Sequence, residues 1–392
     1  MLAVLAGALA WNWEEISRLR AVNSMFDADR IVANFSNMDD LLLTRDVAVG
    51  ELGDMAVDLR DLPETVAIAG EARSLDALLD ETDTTSLLVM VDGVIVHEDY
   101  RLGTGAEDQR ISWSVAKSFL SALVGRAVVA GDIASLDDDV TAYVPELVGT
   151  AYEGASVRNV LNMASGVRFN EDYFDRDSDI NRMGRTLALG GSLDDFSEGL
   201  VEREFAPGSA NQYVSIDTHV IGRVLRAATG RTVYDLFEEA FAPVGLGPVT
   251  YITDGDGEAF VLGGLLMTTR GYAKFGQLFA QGGQWEGETV IPADWVAEST
   301  AISAPPVHGE DTRGRAYGYQ WWMLPDANGV GDYFANGIYG QTIYVNPERN
   351  VVIVKTSADR EFSGLGESGL PTQVEVVLAM RSVAEAMGRT SP

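Results

Sequence analysis

Short apolar runs separated by turn residues occur twice in this chain. Residues 87–91 and 94–97 flank an Asp-Gly dipeptide at 92–93, which favours the positive φ angles of a tight hairpin turn. Residues 341–345 and 351–355 are rich in Val, Ile and Tyr, which favour strands, and they flank a polar turn. Each pair of runs therefore predicts a β-hairpin.

Longer apolar patterns predict helices. The run over residues 114–130 is apolar almost throughout and stops at Gly131, a residue that suits the end of a helix. Residues 218–228 and 233–242 have the spacing of helices. A last helix is expected over about 371–388, where Pro suits the first turn and Gly the end.

The order of these elements predicts the fold class. Residues 126–255 show no convincing strand pair, whereas residues 317–323 read as an aromatic strand. We therefore expect an α+β fold, with an antiparallel sheet flanked by N- and C-terminal helices and an inserted all-helical subdomain. The predicted units are an N-terminal arm (1–60), an α/β domain (61–125 and 256–392) and the helical subdomain (126–255). The cleft between the two larger units is the expected site.

Composition narrows the classes of function. The 392 residues include no cysteine, which excludes disulfides, thiolate nucleophiles and cysteine metal sites. The net charge is −31, and such an acidic surface repels nucleic-acid phosphates, so no nucleic-acid partner is expected. The three histidines show no metal-ligand spacing, and we expect neither a metal nor a cofactor.

The N-terminus is apolar over residues 1–10, too short a stretch to span a bilayer. It lacks a basic start, although Ala-Leu-Ala at 8–10 resembles a cleavage site. Two interpretations stay open: the tail of a signal or anchor helix, or a helix end packed on the body. We favour export towards the periplasmic side, or membrane attachment through this segment.

A serine and a lysine open the apolar run. Lys117 is one of three lysines in the chain and follows Ser114 by three residues, a spacing that puts both side chains on one helix face. A serine nucleophile needs a group to take its proton, and a lysine whose pKa is lowered by burial can do this. The same tetrad also arises by chance, and Ser114 would suit a simple N-cap.

Two later stretches supply groups that would complete such a site. Tyr213, followed by Ser215, offers a phenol that can relay a proton if a cation lowers its pKa. Gly337 permits close approach of the backbone, so that the N–H groups of Ile338 and Ser114 would form an oxyanion hole. The structural alternatives are a core tyrosine and a plain strand start.

These motifs, in this order, resemble those of the serine β-lactamase and penicillin-binding-protein superfamily, S-x-x-K, then Y-x-N or S-D-N, then K-T-G. Further matching stretches are Leu-Asn-Met-Ala-Ser-Gly at 161–166, Pro-Gly at 207–208, Gly-Gly-Leu at 263–265 and Tyr-Gly-Tyr-Gln-Trp at 317–321. The resemblance is closest to the class C β-lactamase-like branch, which includes esterases and 6-aminohexanoate-dimer hydrolases. It implies a β-lactamase-like fold and an acyl-enzyme mechanism.

The resemblance also implies roles for individual residues. Ser114 would be the nucleophile, Lys117 its base and Tyr213 the proton relay. Ser215 would assist them where the family often has asparagine. Tyr173, in an acidic loop, matches the position that contacts the scissile amide in 6-aminohexanoate-dimer hydrolases.

The third motif departs from the β-lactamase pattern. Asn336, Gly337 and Tyr339 are expected to contact substrate, yet residues 335–337 are Ala-Asn-Gly and lack the lysine that pairs with a substrate carboxylate. Lys355 begins a K-T-G-like stretch, but it follows the next hairpin turn, and we do not regard it as the lysine of the third motif. The expected substrate therefore has no carboxylate at this point.

The sequence thus predicts a serine hydrolase that cleaves a small amide or ester. A linear amide such as an aminohexanoate oligomer is the first expectation and a carboxylic ester the second. Two other classes stay open. One is a penicillin-binding-like module that is acylated but turns over poorly, and the other is a structural protein in which Ser114 is only an N-cap.

Overall fold

The structure is a computed structural model. It describes Arg18, Val22 and residues 24–308, 315–325 and 331–388. The N-terminal apolar segment, on which the prediction of export or membrane attachment depends, lies outside the described residues.

The strands of the described residues pair antiparallel in four sheets. In chain order the strands are β1 Thr44–Val47, β2 Thr65–Ile68, β3 Glu71–Ser74, β4 Thr84–Val91, β5 Val94–Tyr100, β6 Arg110–Ile111, β7 Val249–Ile252, β8 Leu265–Met267, β9 Gln284–Trp285, β10 Glu288–Thr289, β11 Ala316–Tyr317, β12 Trp322–Met323, β13 Tyr333–Gly337, β14 Gln341–Asn346 and β15 Val351–Ser357. A seven-stranded sheet has the order β11-β12-β13-β14-β15-β4-β5, a four-stranded sheet has the order β1-β7-β8-β6, and β2–β3 and β9–β10 form two-stranded sheets.

Most of the described helices lie between β6 and β7 in the chain. The α-helices are α1 Ile31–Asn34, α2 Leu75–Glu81, α3 Ala116–Ala130, α4 Val140–Tyr143, α5 Val157–Leu161, α6 Asp179–Ala188, α7 Leu193–Glu198, α8 Ser215–Thr229, α9 Val233–Phe241, α10 Thr269–Ala280, α11 Ala293–Ser299 and α12 Thr372–Met387. Short 3₁₀ turns occur at Met38–Asp40, Trp113–Val115, Pro145–Leu147 and Ile338–Gly340.

Helices cover both faces of the seven-stranded sheet. On one face α2 and α12 pack in an apolar cluster with β4, β14 and β15. On the other face α10 approaches β15 so closely that a Cβ at Gly276 would come within 2.5 Å of Val352 Cγ1. The layered antiparallel sheet with a helical stretch inserted between β6 and β7 confirms the α+β fold class.

Helix α3 is the central helix of the molecule. Among the described residues, the stretch Trp113–Ala130 has the length and apolar composition to cross a membrane, but most of it is buried inside the protein. Phe119, on this helix, stacks on Phe275 of α10 with ring centroids 3.6 Å apart. The start of α3 is thereby held against α10, which helps to fix the position of Ser114 and Lys117.

The two hairpins and the helix ends follow the sequence pattern. Strands β4 and β5 are joined at Asp92 and Gly93, which have φ values of 53° and 79°. Gly131 ends α3 with φ 84°, and α12 occupies the predicted C-terminal stretch. Both hairpin predictions and the C-terminal helix are confirmed, whereas the domain boundaries stay a prediction.

Three details of the prediction are wrong. Residues 317–323 are not one strand: β11 and β12 pair with each other across a turn in which Gln320 has φ 65°. Residues 249–252 form a strand within the range expected to be helical, because β1 supplies the partner that the sequence did not reveal. Helix α8 begins at Ser215, three residues before the predicted start at 218.

Candidate active site

Ser114 lies in a 3₁₀ turn that leads directly into α3. The turn spans Trp113–Val115, and Trp113 has φ 43°, a conformation that residues other than glycine rarely adopt. The N–H of Ser112 donates to the carbonyl of Leu265 on β8 over 2.8 Å, which fixes the turn to the sheet. Ser114 itself is half-buried, so its hydroxyl lies at a surface rather than inside the core.

Lys117 is buried directly behind Ser114. Its Nζ lies 3.0 Å from Ser114 Oγ and donates to the carbonyl oxygen of Leu262 over 2.6 Å. The side chain is 1 % exposed, and burial lowers the pKa of the ammonium to about 7, although the nearby carboxylate of Glu171 acts in the opposite direction. A large fraction of the amine is therefore neutral near pH 7 and can accept a proton.

Tyr213 lies on the other side of the lysine. Lys117 Nζ is 5.4 Å from the centre of the phenol ring. Burial raises the pKa of Tyr213 above its usual value, and hydrogen bonding with the Ser114 and Ser215 hydroxyls only partly offsets this rise. The phenol is thus neutral at pH 7, which differs from the sequence expectation that a cation would lower its pKa. A neutral phenol can still donate its hydrogen.

A carboxylate that the sequence analysis did not single out connects two predicted residues. Glu171 accepts hydrogen bonds from the Ser215 hydroxyl, from the Ser215 N–H over 3.0 Å and from the Tyr173 hydroxyl over 2.7 Å. Burial raises the pKa of Glu171, and these hydrogen bonds and the charge of Lys117 counteract the rise. Tyr173 and Ser215 therefore meet at Glu171, two residues before Tyr173 in the chain.

A second carboxyl, Asp217, lies in the core beside this network. The side chain is fully buried in α8, and its Oδ1 accepts a hydrogen bond from the Tyr152 hydroxyl over 2.9 Å. Burial raises the pKa of Asp217 to about 8, so it is mostly protonated at neutral pH. In the sequence, Asp217 could be linked to the site only by its position four residues after Tyr213.

The end of β13 crosses the Ser114 turn at backbone contact distance. A Cβ at Gly337 would lie 2.5 Å from the carbonyl oxygen of Ser112 and 3.1 Å from the backbone nitrogen of Ser114. Only glycine permits this approach, which places the peptide between Gly337 and Ile338 beside the Ser114 N–H. Tyr339 follows with φ 59°, and its ring stacks on Phe26 at 4.9 Å.

Asn336 points towards α12, where a cation lies close to it. Its Nδ2 donates to Oε1 of Gln373 over 2.8 Å, and the same oxygen accepts from Arg315 Nη1 over 2.7 Å. The Arg315 guanidinium lies 4.4 Å above the ring of Trp322, and that ring stacks on Tyr213 at 5.4 Å. A positive charge therefore lies near Asn336, on a segment other than the third motif.

The structure brings together Ser114, Lys117, Tyr213 and the Gly337–Ile338 backbone. Ser215 and Tyr173 join them through Glu171, whereas Asn336 is turned towards Gln373. A hydroxyl, a desolvated amine, a phenol and main-chain donors at one place can perform acyl transfer. Within the described ranges, no group of three or more His, Asp or Glu side chains is arranged to hold a metal ion.

Comparisons with known proteins identify the family of this chain. A family model described as Beta-lactamase matches residues 75–374. A 6-aminohexanoate-dimer hydrolase from Paenarthrobacter ureafaciens is 30% identical over 361 residues, which cover 88% of this chain and 90% of that protein. A D-aminopeptidase from Brucella anthropi is 30% identical over 142 residues, or 36% of this chain and 26% of that protein.

Solved structures share the fold. A Bacillus anthracis protein, described as a candidate 6-aminohexanoate-dimer hydrolase, has a TM-score of 0.78 and 21% identity, covering 92% of this chain and 95% of that one. EstCE1, a hydrolase with promiscuous acyltransferase activity, has a TM-score of 0.56 and 16% identity, and the match covers 78% of this chain and 96% of that one. The family match extends over most of the chain: this protein belongs to the Beta-lactamase family and is a serine hydrolase of the amidase and esterase type.

Proposed function

We propose that Ser114 is the nucleophile of this hydrolase and Lys117 its general base. The observation that carries the proposal is the 3.0 Å separation between Lys117 Nζ and Ser114 Oγ, combined with the lowered pKa of the lysine. In the neutral amine, two hydrogens remain for neighbours such as the Leu262 carbonyl, and the lone pair can take the serine proton.

The proposed first half-reaction is acylation. Ser114 Oγ attacks the substrate carbonyl carbon while its proton moves to Lys117 Nζ. The N–H groups of Ser114 and Ile338 stabilise the negative charge on the carbonyl oxygen. A proton then reaches the leaving nitrogen or oxygen through the neutral phenol of Tyr213, and the bond to the leaving group breaks. Water releases the acyl group from Ser114 in the second half-reaction.

Ser215 and Glu171 would act on this machinery indirectly. The Ser215 hydroxyl donates to Glu171, and it also forms a hydrogen bond with Tyr213, so the carboxylate helps to orient the phenol. The charge of Glu171 also stabilises the protonated form of Lys117, which is the form produced during acylation. Tyr173 donates a hydrogen bond to the same carboxylate, and we assign to it the contact with the substrate amide.

A small linear amide is the substrate that we favour. Support comes from the relative named a 6-aminohexanoate-dimer hydrolase, from a cation near Tyr213 and from carboxylates on the loop that carries Tyr173. Arg315 lies beside Trp322, next to Tyr213, and can pair with a substrate carboxylate. The exposed Asp172 and Asp175 lie on the loop that carries Tyr173, where they can attract a substrate amine.

Ester hydrolysis is the second candidate, and a cluster of aromatic rings beside the Ser114 turn favours it. Phe26, Phe35 and Trp113 pack around the ring of Tyr339, with centroids 4.9, 5.4 and 6.2 Å from it. This cluster lies next to the proposed oxyanion hole at Ile338. It would accept the hydrocarbon part of an acyl group, which is common to fatty esters and to aminohexanoyl amides.

A substrate panel tests the proposal. Linear amides of ω-amino acids, nitrophenyl esters, D-amino-acid peptides and a β-lactam would be assayed with the wild type and Ser114→Ala. We expect the linear amide to give the highest kcat/KM and every activity to disappear in the variant. Full activity of Ser114→Ala would contradict the nucleophile, and a burst of one product per enzyme without turnover would indicate a penicillin-binding-like module.

A further inference from the structure

The turn that follows β13 has an unfavourable backbone conformation. Tyr339 has φ 59° and Gly340 has φ 85°, so two consecutive residues are in the left-handed region. A Cβ at Gly340 would lie 3.0 Å from Ser357 Cβ and 3.3 Å from Lys355 Nζ, which limits this position to glycine. Such a turn persists only where its surroundings hold it in place.

One buried amide forms several of the hydrogen bonds that hold this turn. Gln341 begins β14 and is 2 % exposed. Its Nε2 lies 3.4 Å from the carbonyl oxygen of Ile338, 3.1 Å from that of Tyr339 and 2.8 Å from that of Ser357. Its Oε1 accepts the N–H of Ser357 over 3.2 Å. A single side chain therefore connects the turn to the end of β15.

The same turn presents the N–H that we assign to the oxyanion hole. Gly337 pairs with Gln341 across the hairpin, and Gly337 also contacts the Ser114 turn. A shift of the turn relative to β15 would therefore move the Ile338 N–H relative to Ser114. A misplacement of about 1 Å in a catalytic geometry can cost about 10²-fold in rate.

We infer that Gln341 is a positioning residue for catalysis: its side-chain amide fixes the Ile338–Gly340 turn against β15 and thereby places the Ile338 N–H for the oxyanion. This inference rests on the proposed function, since it needs acyl transfer at Ser114. It assigns no substrate contact to Gln341, whose polar atoms all face the protein backbone.

Gln341→Met tests the inference because it keeps the length of the side chain and removes all four hydrogen bonds. We expect kcat for a nitrophenyl ester to fall about 10- to 100-fold, while KM changes by less than about threefold. Gln341→Glu is the second variant, because it keeps the acceptor for Ser357 but loses the donor to the three carbonyls. Circular dichroism would establish that each variant is folded.

Gln277→Met provides the matched control. Gln277 is 1 % exposed on α10, and its Nε2 donates to Asn350 Oδ1 over 3.2 Å, in hydrogen bonding that does not involve the Ile338–Gly340 turn. This variant loses a buried amide as Gln341→Met does, and we expect its kcat to stay close to that of the wild type.

A thionoester substrate separates positioning from a general loss of structure. Sulfur is a poorer hydrogen-bond acceptor than oxygen and sits farther from carbon, so a well-placed oxyanion hole discriminates against it. We expect the ester-to-thionoester ratio of kcat/KM to fall at least about tenfold in the Gln341 variants and to stay constant in Gln277→Met. Wild-type kcat, or a reduced kcat with an unchanged ratio, would overturn the inference.

Ser114→Ala, assayed in parallel, distinguishes a failure of the proposed function from a failure of the inference about Gln341. If that variant keeps its activity, the proposed function fails and the positioning role of Gln341 fails with it. If Ser114→Ala is inactive while folded Gln341→Met retains the wild-type kcat and ratio, only the inference about Gln341 fails.

Discussion

Two serine–lysine pairs lie in this protein, and their lysines are alike. Lys117 and Lys355 are each 1 % exposed, and Nζ of each contacts a serine hydroxyl, that of Ser114 or Ser357. Burial lowers the pKa of Lys117 to about 7 and that of Lys355 to about 8. Judged by the two side chains alone, either pair could supply a nucleophile and its base.

The surroundings of the two serines differ. Ser114 is half-buried at the start of α3, with a phenol and a glycine-lined strand end beside it. Ser357 is fully buried in β15 beneath the Ile338–Gly340 turn. A basic lysine is therefore not sufficient for a site: access for substrate and main-chain donors distinguish the pairs.

Removing each hydroxyl gives the largest contrast. We expect Ser114→Ala to lose at least about 10³-fold in kcat, because no other group can form the acyl intermediate. Ser357→Ala should keep kcat within about threefold, since its hydroxyl has no access to substrate. Steady-state kinetics with a nitrophenyl ester measures both. A similar loss in the two variants would remove the distinction between the pairs.

Removing each lysine is expected to affect a different property, the catalytic rate for Lys117 and the stability for Lys355. Lys117→Met should lower kcat about 10²- to 10⁴-fold, the usual contribution of a general base. Lys355→Met should mainly lower the free energy of unfolding, by about 1–3 kcal/mol, because the buried carboxyl of Asp359 loses its cation. Kinetics and urea denaturation of both variants would check this, and an inactive but fully stable Lys355→Met would contradict it.

The pH dependence of kcat/KM tests the role of Lys117 as the general base. A base with a pKa of about 7 is protonated and inactive at lower pH, so kcat/KM should rise about tenfold per unit below pH 7 and level off above it. Glu171→Gln removes a negative charge that raises the lysine pKa, so the midpoint should move to lower pH. An unchanged midpoint in Glu171→Gln would argue against Lys117 as the titrating group.

The smallest expected effect concerns substrate recognition by Arg315. Arg315→Met should raise KM about tenfold for amides that carry a carboxylate, because a charge-assisted hydrogen bond is lost. A neutral nitrophenyl ester should show little change and is the internal control. Equal effects on both substrates would indicate that Arg315 supports Trp322 and Gln373 rather than the substrate.

The spacing of residues in the sequence predicted individual helices and hairpins, whereas the contacts between distant segments depend on the fold. Ser114 and Lys117 are one helical turn apart, so their contact follows from three residues of separation. The carboxyls of Glu171 and Asp217 could not be placed in the same way, because their proximity to Lys117 depends on loop and helix packing across the site.

The region of residues 315–323 shows why a pattern of apolar residues can mislead. Alternating aromatic residues suggested one strand, but the chain turns at Gln320, and a Cβ at Gly318 would come within 2.4 Å of the Ser299 carbonyl. The turn places Trp322 beside Tyr213 and brings Arg315 over it. Residues 335–337 carry no cation, as the sequence shows, and the turn brings the guanidinium of Arg315 from another segment near Asn336.

Mapping the serine that reacts with a fluorophosphonate is the most direct test of Ser114 as the nucleophile. The wild type would be treated with a fluorophosphonate, digested and analysed by mass spectrometry. We expect a single modified serine, Ser114, with labelling lost in Ser114→Ala and retained in Ser357→Ala. A label on Ser357 or Ser215, or labelling of Ser114→Ala at the wild-type rate, would contradict it.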